Sequence, residues 1–266
     1  MIKRLAIIIE SSNVKGQQYL PGARIDAGNW RSFLMSDLGG AWRENDAIVP
    51  LSKPKSTDVQ NLLNTCKDCY VFLVFSGHGF MEYNYSSRRY ETKICLNDNE
   101  QAVLLDAISP RRFGTAIFDC CRGIENAQGS IKIANESFAA GRNTSFGIAM
   151  DSANQIVLNA RRSIQETISS VFSSYIEAMS THVSVRMYSC SRGESAGEDV
   201  SAGGYYTTLL IQGARNWYDE QRSKPNYAVY NTKQAHDFAC EAMKEVNPLQ
   251  HPEYSPLWQW YPFAIG

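Results

Sequence analysis

Val71-Phe72-Leu73-Val74-Phe75-Ser76-Gly77-His78-Gly79 and Thr115-Ala116-Ile117-Phe118-Asp119-Cys120-Cys121-Arg122-Gly123 decide how this chain folds. Each opens with a short unbroken run of β-forming apolar residues, the pattern of a strand covered on both faces. Each then runs into small and polar residues able to do chemistry. Residues 5–9 (LAIII) and 183–188 (VSVRMY) are similar runs. Between them, Trp30, Phe33, Leu34 and Leu38, and again Val59, Leu62, Leu63 and Cys66, recur at helical spacing. The alternation predicts an α/β fold with a mostly parallel central sheet flanked by helices.

Further on, Val157, Ala160, Ile164, Ile168, Val171, Tyr175 and Met179 step by three or four, which predicts a long helix over 152–179 that covers the core. Helices are also expected over 205–219 and 232–246. The stretch 123–147 is polar and small-residue rich and reads as a mobile loop. The Pro-rich, aromatic end reads as an irregular tail packed back on the body. A single domain results, with parts 1–123, 124–182 and 183–266.

With 266 residues, 44% hydrophobic and 20% charged, the chain is an ordinary globular protein, neither disordered nor fibrous. Its 26 basic and 27 acidic residues leave a charge of -1, which offers no general field for nucleic acid or an anionic membrane. The N-terminal apolar run ends at Glu10, shorter than a signal-peptide core, and no stretch approaches the ~18 apolar residues of a membrane span. These features predict a cytoplasmic protein. Seven cysteines, an odd number at irregular positions in a chain this long, are expected to be reduced thiols.

In an open parallel sheet the carboxyl ends of the strands lie on one edge, where active sites collect. His78 and Cys121 leave two such ends and can meet there as base and nucleophile. Glycines beside His78 let a substrate backbone approach and free main-chain N–H groups to face it. The N–H groups of Gly79 and Cys121 are the candidate oxyanion donors, each worth on the order of 3 kcal/mol. Cys120 points to the other side of its strand and reads as structural.

A strand ending Ser76-Gly77-His78-Gly79, followed 43 residues after the histidine by Asp119-Cys120-Cys121-Arg122-Gly123, resembles the catalytic dyad of caspase-like cysteine peptidases (clan CD). Leu20-Pro21-Gly22-Ala23-Arg24-Ile25-Asp26-Ala27 is similar to the L-x-G-C-x-N-D-A segment of metacaspases and of the prokaryotic orthocaspase-like proteins, departing at Ala23 and Ile25. The stretch from Val183 through Ser191-Arg192-Gly193-Glu194 and Ala196 to Gly204-Tyr205-Tyr206-Thr207 resembles the part that closes the family's substrate cleft.

The resemblance implies a caspase-like fold and a cysteine endopeptidase acting on protein or peptide substrates, with Cys121 as nucleophile and His78 handling its proton. It implies an acidic specificity pocket made by Asp26 and Asp119, which would receive Arg or Lys. In an alignment anchored on Asp26-Ala27, the aspartate-binding arginine of animal caspases falls on Leu20, which argues against cleavage after Asp, although Arg24 keeps that alternative open. Asp26 can equally be an acid favoured by a helix N-terminus. Basic specificity would make Lys132 and Arg142 candidate self-cleavage sites. Related prokaryotic proteins often serve regulated or defence pathways, and an activating protein partner would fit. A catalytically silent scaffold of the same fold is the alternative.

No cofactor or obligatory metal is expected. Calcium stimulation would have to use Asn97, Asp98, Asn99, Glu100 and Asp106, which read better as hydrated turn residues. Cys66-x-x-Cys69 has redox or zinc spacing but lacks a second pair, so two buried thiols are expected. His182, His236 and His251 show no cysteine or acid at motif spacing. The pairs Arg88-Arg89 and Arg161-Arg162 read as solvated charge.

Overall fold

The computed structural model describes residues 3–42, 47–124, 155–179, 183–221, 223–224 and 226–266, with side chains of the long third helix from 164 onward. The chain runs β1 (Arg4–Ser11), α1 (Pro21–Met35), β2 (Ala47–Ser52), α2 (Ser56–Thr65), β3 (Tyr70–Gly77), β4 (Gly79–Asn84), β5 (Arg89–Ile94), β6 (Val103–Leu104) and β7 (Gly114–Asp119). It continues with α3 (Gln155–Ala178), β8 (Val185–Tyr188), β9 (Glu198–Asp199), β10 (Gly203–Gly204), α4 (Tyr205–Gln221), β11 (Val229–Asn231), α5 (Thr232–Val246), β12 (Glu253–Ser255) and β13 (Pro262–Ile265). All four expected strands and five expected helices are present. The expected loop over 123–147 lies almost wholly outside the described residues, as do Lys132 and Arg142.

The central sheet has the order β12-β8-β7-β3-β1-β2 and is parallel except for β12, which runs antiparallel to β8. Strand periodicity splits its side chains between two cores. Ala6, Ile8, Tyr70, Phe72, Val74 and Ile117 face Trp30 and Phe33 of α1 together with α3, α4, α5 and β13. Leu5, Ile7, Ile9, Val71, Leu73, Phe75, Ala116 and Phe118 face Val59 of α2 and the layer around Ile94, Leu105 and Ile108. Both faces of the sheet are thus covered, which is why these strands read as unbroken apolar runs.

The elements that escaped the sequence reading are short or exposed. β2 is a half-exposed edge strand carrying Pro50, and β4 and β5 form a polar hairpin. The tail does pack back: Tyr261, Phe263, Ala264 and Ile265 are buried, while Leu257 and Trp258 stay exposed. No helix among the described residues is long and apolar enough to cross a membrane.

Candidate active site

β3 and β7 are hydrogen-bonded neighbours, so their carboxyl ends deliver His78 and Cys121 to one edge of the sheet. The same alternation that sends Phe118 and Cys120 to the α2 side sends Asp119 toward α1 and α4. Cys120 accordingly lies in the apolar core, 2% exposed, and burial pushes its thiol well above the ordinary range. Cys121, one residue on, is half-buried at the edge.

His78 Nε2 lies 2.6 Å from the Gln18 carbonyl oxygen. A carbonyl only accepts, so Nε2 carries the proton and Nδ1 keeps the lone pair that a general base needs. Burial pulls the imidazole pKa below its ordinary value, against the opposing effect of the Gln18 bond. Burial pushes the Cys121 thiol up, although the Ala196 main chain partly offsets it. The resting pair is therefore neutral, a thiol and an imidazole. Ala196 N–H donates to Cys121 Sγ at 3.3 Å, and Sγ lies 3.7 Å from the Ala196 carbonyl. A Cβ on Gly79 would sit 2.7 Å from the Cys121 carbonyl and 2.8 Å from Cys120 Sγ, so only glycine lets β4 close on the end of β7.

Asp26 and Asp119 come together although 93 residues separate them. Asp26 is wholly buried; its Oδ2 accepts from Ser76 Oγ at 2.6 Å and its Oδ1 from Gly204 N–H at 2.9 Å. Asp119, 6% exposed, accepts at Oδ2 from Thr207 N–H and Oγ1 at 3.1 and 2.8 Å. Both converge on Gly204, where an added Cβ would lie 2.3 Å from Asp119 Oδ2 and 3.0 Å from Asp26 Oδ2. Burial first, and then the neighbouring Asp119, raise the Asp26 carboxyl well above the usual carboxylate range; burial likewise raises Asp119.

Asp26 is not a helix-terminus acid. The helix starts at Pro21, five residues earlier, so Asp26 sits in the second turn, where the dipole effect has faded. Arg24, two positions away and hence on another side of the helix, is exposed, and its charge is felt by Glu10.

Sequence reasoning missed Glu198. Its half-buried carboxylate accepts from the N–H groups of Gly22 and Ala23, satisfying first-turn donors of α1 that the N-cap residue Leu20 leaves uncapped. The carboxylate also bears on Asp26 and Cys121 through its charge. The one sequence signal was an acid after Gly197 in the polar stretch 191–204. Gln18 and Ala196 act through main-chain atoms, which leave no trace in residue type. Arg122, by contrast, is a buried tie: it donates to the Cys190 carbonyl and to Glu253 and lies 4.3 Å over the Tyr188 ring.

Several expectations need correction. Cys66 and Cys69 are joined in a disulfide rather than being two free buried thiols, and both are only half-buried, because α2 ends at Thr65 and the chain turns outward there. His236 does have a cysteine partner one helical turn on: its Nε2 lies 3.3 Å from Cys240 Sγ, and its Nδ1 lies 2.7 Å from the Tyr206 hydroxyl. Burial pulls this imidazole down to about 4, so it is a neutral core histidine. His251 pairs with Glu194, 57 residues away. Among the calcium candidates, Asp98 holds Lys53 and the Lys15 amide, Glu100 holds the Ser56 amide and Asn97, and Asp106 holds Arg186. No group of metal-ligating side chains occurs among the described residues.

No curated protein matches the chain in sequence. Among solved structures it is similar to caspase-1 from Spodoptera frugiperda, with a TM-score of 0.55 and 10% identity over 98% of this chain and 88% of that one, a likeness of fold. The family model for the caspase domain matches residues 3–255, nearly the whole chain. A sheet whose strand ends bring a histidine and a cysteine together, matched over that length, places this chain in the caspase-domain family of cysteine peptidases.

Proposed function

We propose that the protein is a cysteine endopeptidase that cuts after Arg or Lys. Cys121 attacks the scissile carbonyl, His78 Nδ1 takes the thiol proton and returns it to the leaving amine, and the Gly79 and Cys121 N–H groups hold the oxyanion. A neutral resting pair suits this general-base route, in which thiolate and imidazolium form only as substrate is attacked.

The observation that carries the specificity is the convergence of Asp26 and Asp119 beside the nucleophile, with Glu198 at the rim. Burial raises both carboxyls, and Asp119 raises Asp26 further, so a guanidinium or ammonium brought against the pair would relieve that cost. An aspartate side chain would add a third charge of the same sign. This acidic pair also supports kinship with the metacaspase-like branch, and basic specificity makes Lys132 and Arg142 eligible for self-cleavage. The Ala196 main chain against Cys121 supports a regulated resting state, since Ser195–Gly197 must shift for substrate to reach the sulfur.

A fluorogenic peptide panel with Arg, Lys or Asp before the reporter, run on wild type, Cys121→Ala and Asp26→Ala, tests the reading. The expected result is hydrolysis after Arg and Lys only, lost in both variants. Activity surviving in Cys121→Ala would overturn the mechanism, and preference for Asp would overturn the pocket. Intact-mass comparison of wild type with Cys121→Ala reads out self-cleavage; two uncut full-length chains that differ only by the sulfur of the substitution would sink it.

A further inference from the structure

At the edge of the sheet opposite the active site, where β3 and β7 begin, lies a cleft of 570 Å³. The Cys66–Cys69 disulfide forms part of its wall, and Lys67, Arg111 and Arg112 surround the opening. Asp68 is its only acid, so the lining carries an excess of two positive charges. Lys67, Arg111 and Arg112 are exposed and make no ion pair among the described residues. The cleft is separated from His78 by the length of β3, about 23 Å, and the peptidase reading does not use it.

We propose that this cleft is a thiol–disulfide exchange site for a small anionic thiol of tripeptide size. Three observations converge. Both cysteines are half-buried in the cleft wall rather than sealed in the core, so a nucleophile can reach the bond. The volume lies within the range of small-molecule sites. The unpaired cations attract an anionic ligand and stabilise the thiolate released when the disulfide opens.

In the first step the ligand thiolate attacks one cysteine sulfur. The S–S bond breaks, its electron pair leaves on the other cysteine as thiolate, and a mixed disulfide forms. A second ligand thiolate then attacks the ligand sulfur of that mixed disulfide and releases the remaining cysteine. The protein disulfide is reduced by two electrons, two ligand thiols become one ligand disulfide, and their two protons pass to Cys66 and Cys69. Run backwards, the ligand disulfide closes the protein bond.

The test follows opening of the Cys66–Cys69 bond in the full chain by differential alkylation and peptide mapping, which separates it from any reaction at Cys121. The probes are glutathione, which is anionic, and cysteamine, which is cationic, each normalised to its rate with a small-molecule disulfide. Glutathione should react roughly three- to tenfold faster than cysteamine in wild type, and Arg111→Gln/Arg112→Gln should bring the two toward parity. Cys69→Ser treated with oxidised glutathione should accumulate the glutathione adduct on Cys66, the second glutathione leaving as thiol. No preference for glutathione, a preference that survives the double substitution, or Cys66 and Cys69 recovered as free thiols after air oxidation would each overturn the proposal. Should Cys69→Ser fail to fold, the wild-type rate comparison decides alone.

Discussion

Replacing Asp26 with Asn should make the protein more stable and a worse enzyme. Asp26 is wholly buried beside Asp119, and each of its oxygens accepts one hydrogen bond, from Ser76 Oγ and Gly204 N–H. Asn keeps both contacts, since its oxygen can accept from Gly204 and its amide can donate to the Ser76 hydroxyl. It removes the buried charge at Asp26, whose carboxyl is raised by burial and then by the neighbouring Asp119. Relief of an unfavourable buried charge of this kind is expected to add about 1–2 kcal/mol near neutral pH, a rise of roughly 2–6 °C in Tm for a domain of this size.

The sign with pH is fixed. An acid whose folded pKa lies above its unfolded value, near 3.9, destabilises the folded state increasingly as pH rises from there to the folded pKa. The advantage of Asp26→Asn should therefore vanish near pH 4, where wild type is protonated too, and reach its plateau above the folded pKa. Hydrolysis of Arg peptides should fall about 30- to 1,000-fold in kcat/KM, the loss of one charged contact of roughly 2–4 kcal/mol. Thermal melts from pH 4 to 8 and initial rates on an Arg peptide measure both. A variant less stable than wild type at pH 7, or one that cleaves Arg peptides within twofold of wild type, would refute the reasoning.

Gly204→Ala puts a methyl group 2.3 Å from Asp119 Oδ2, against buried carboxylates with nowhere to move; thermal melts should show a loss of about 1–3 kcal/mol, and an unchanged Tm would contradict the placement of β10 on the acids. With the His78 pKa held below 6.5 and that of Cys121 above 9 by burial, kcat/KM of the free enzyme should climb with a midpoint below pH 6.5 and hold to above about pH 9. An ascending limb centred above pH 7 would argue against a neutral resting pair. Arg122→Ala removes the donor to the Cys190 carbonyl and one of the donors to Glu253; urea unfolding should give a loss of about 1.5–3 kcal/mol, and a loss under 1 kcal/mol would show that Arg122 is not the tie between the Cys121 loop and β12.

What could be read from residues alone were the strands covered on both faces, which leave an unbroken apolar run, and the helices with one buried face, which leave a stripe. β1, β3 and β7 belong to the first class and the five helices to the second, while β8 was legible from its β-forming residues. Edge strands such as β2 and hairpins such as β4–β5 were invisible because their half-exposed residues alternate weakly and carry Pro50 or charges. The disulfide was misread for a related reason: helical spacing placed Cys66 on an apolar stripe, but the helix stops one residue short of it.

By itself the sequence nominated His78 and Cys121 as a pair and set the side of the strand each cysteine takes, since strand ends and the two-residue period are local properties. Only the tertiary structure decided that β3 and β7 lie side by side and what surrounds the two residues. The Gln18 carbonyl that sets the His78 tautomer, the Ala196 main chain on Cys121 and the Glu198 carboxylate on the first amides of α1 are contacts between segments far apart in the chain. All three use backbone atoms that every non-proline residue carries. The meeting of Asp26 and Asp119 depended on both levels: residue type nominated them, and the packing of β10 against α1 and the end of β7 brought them together at Gly204.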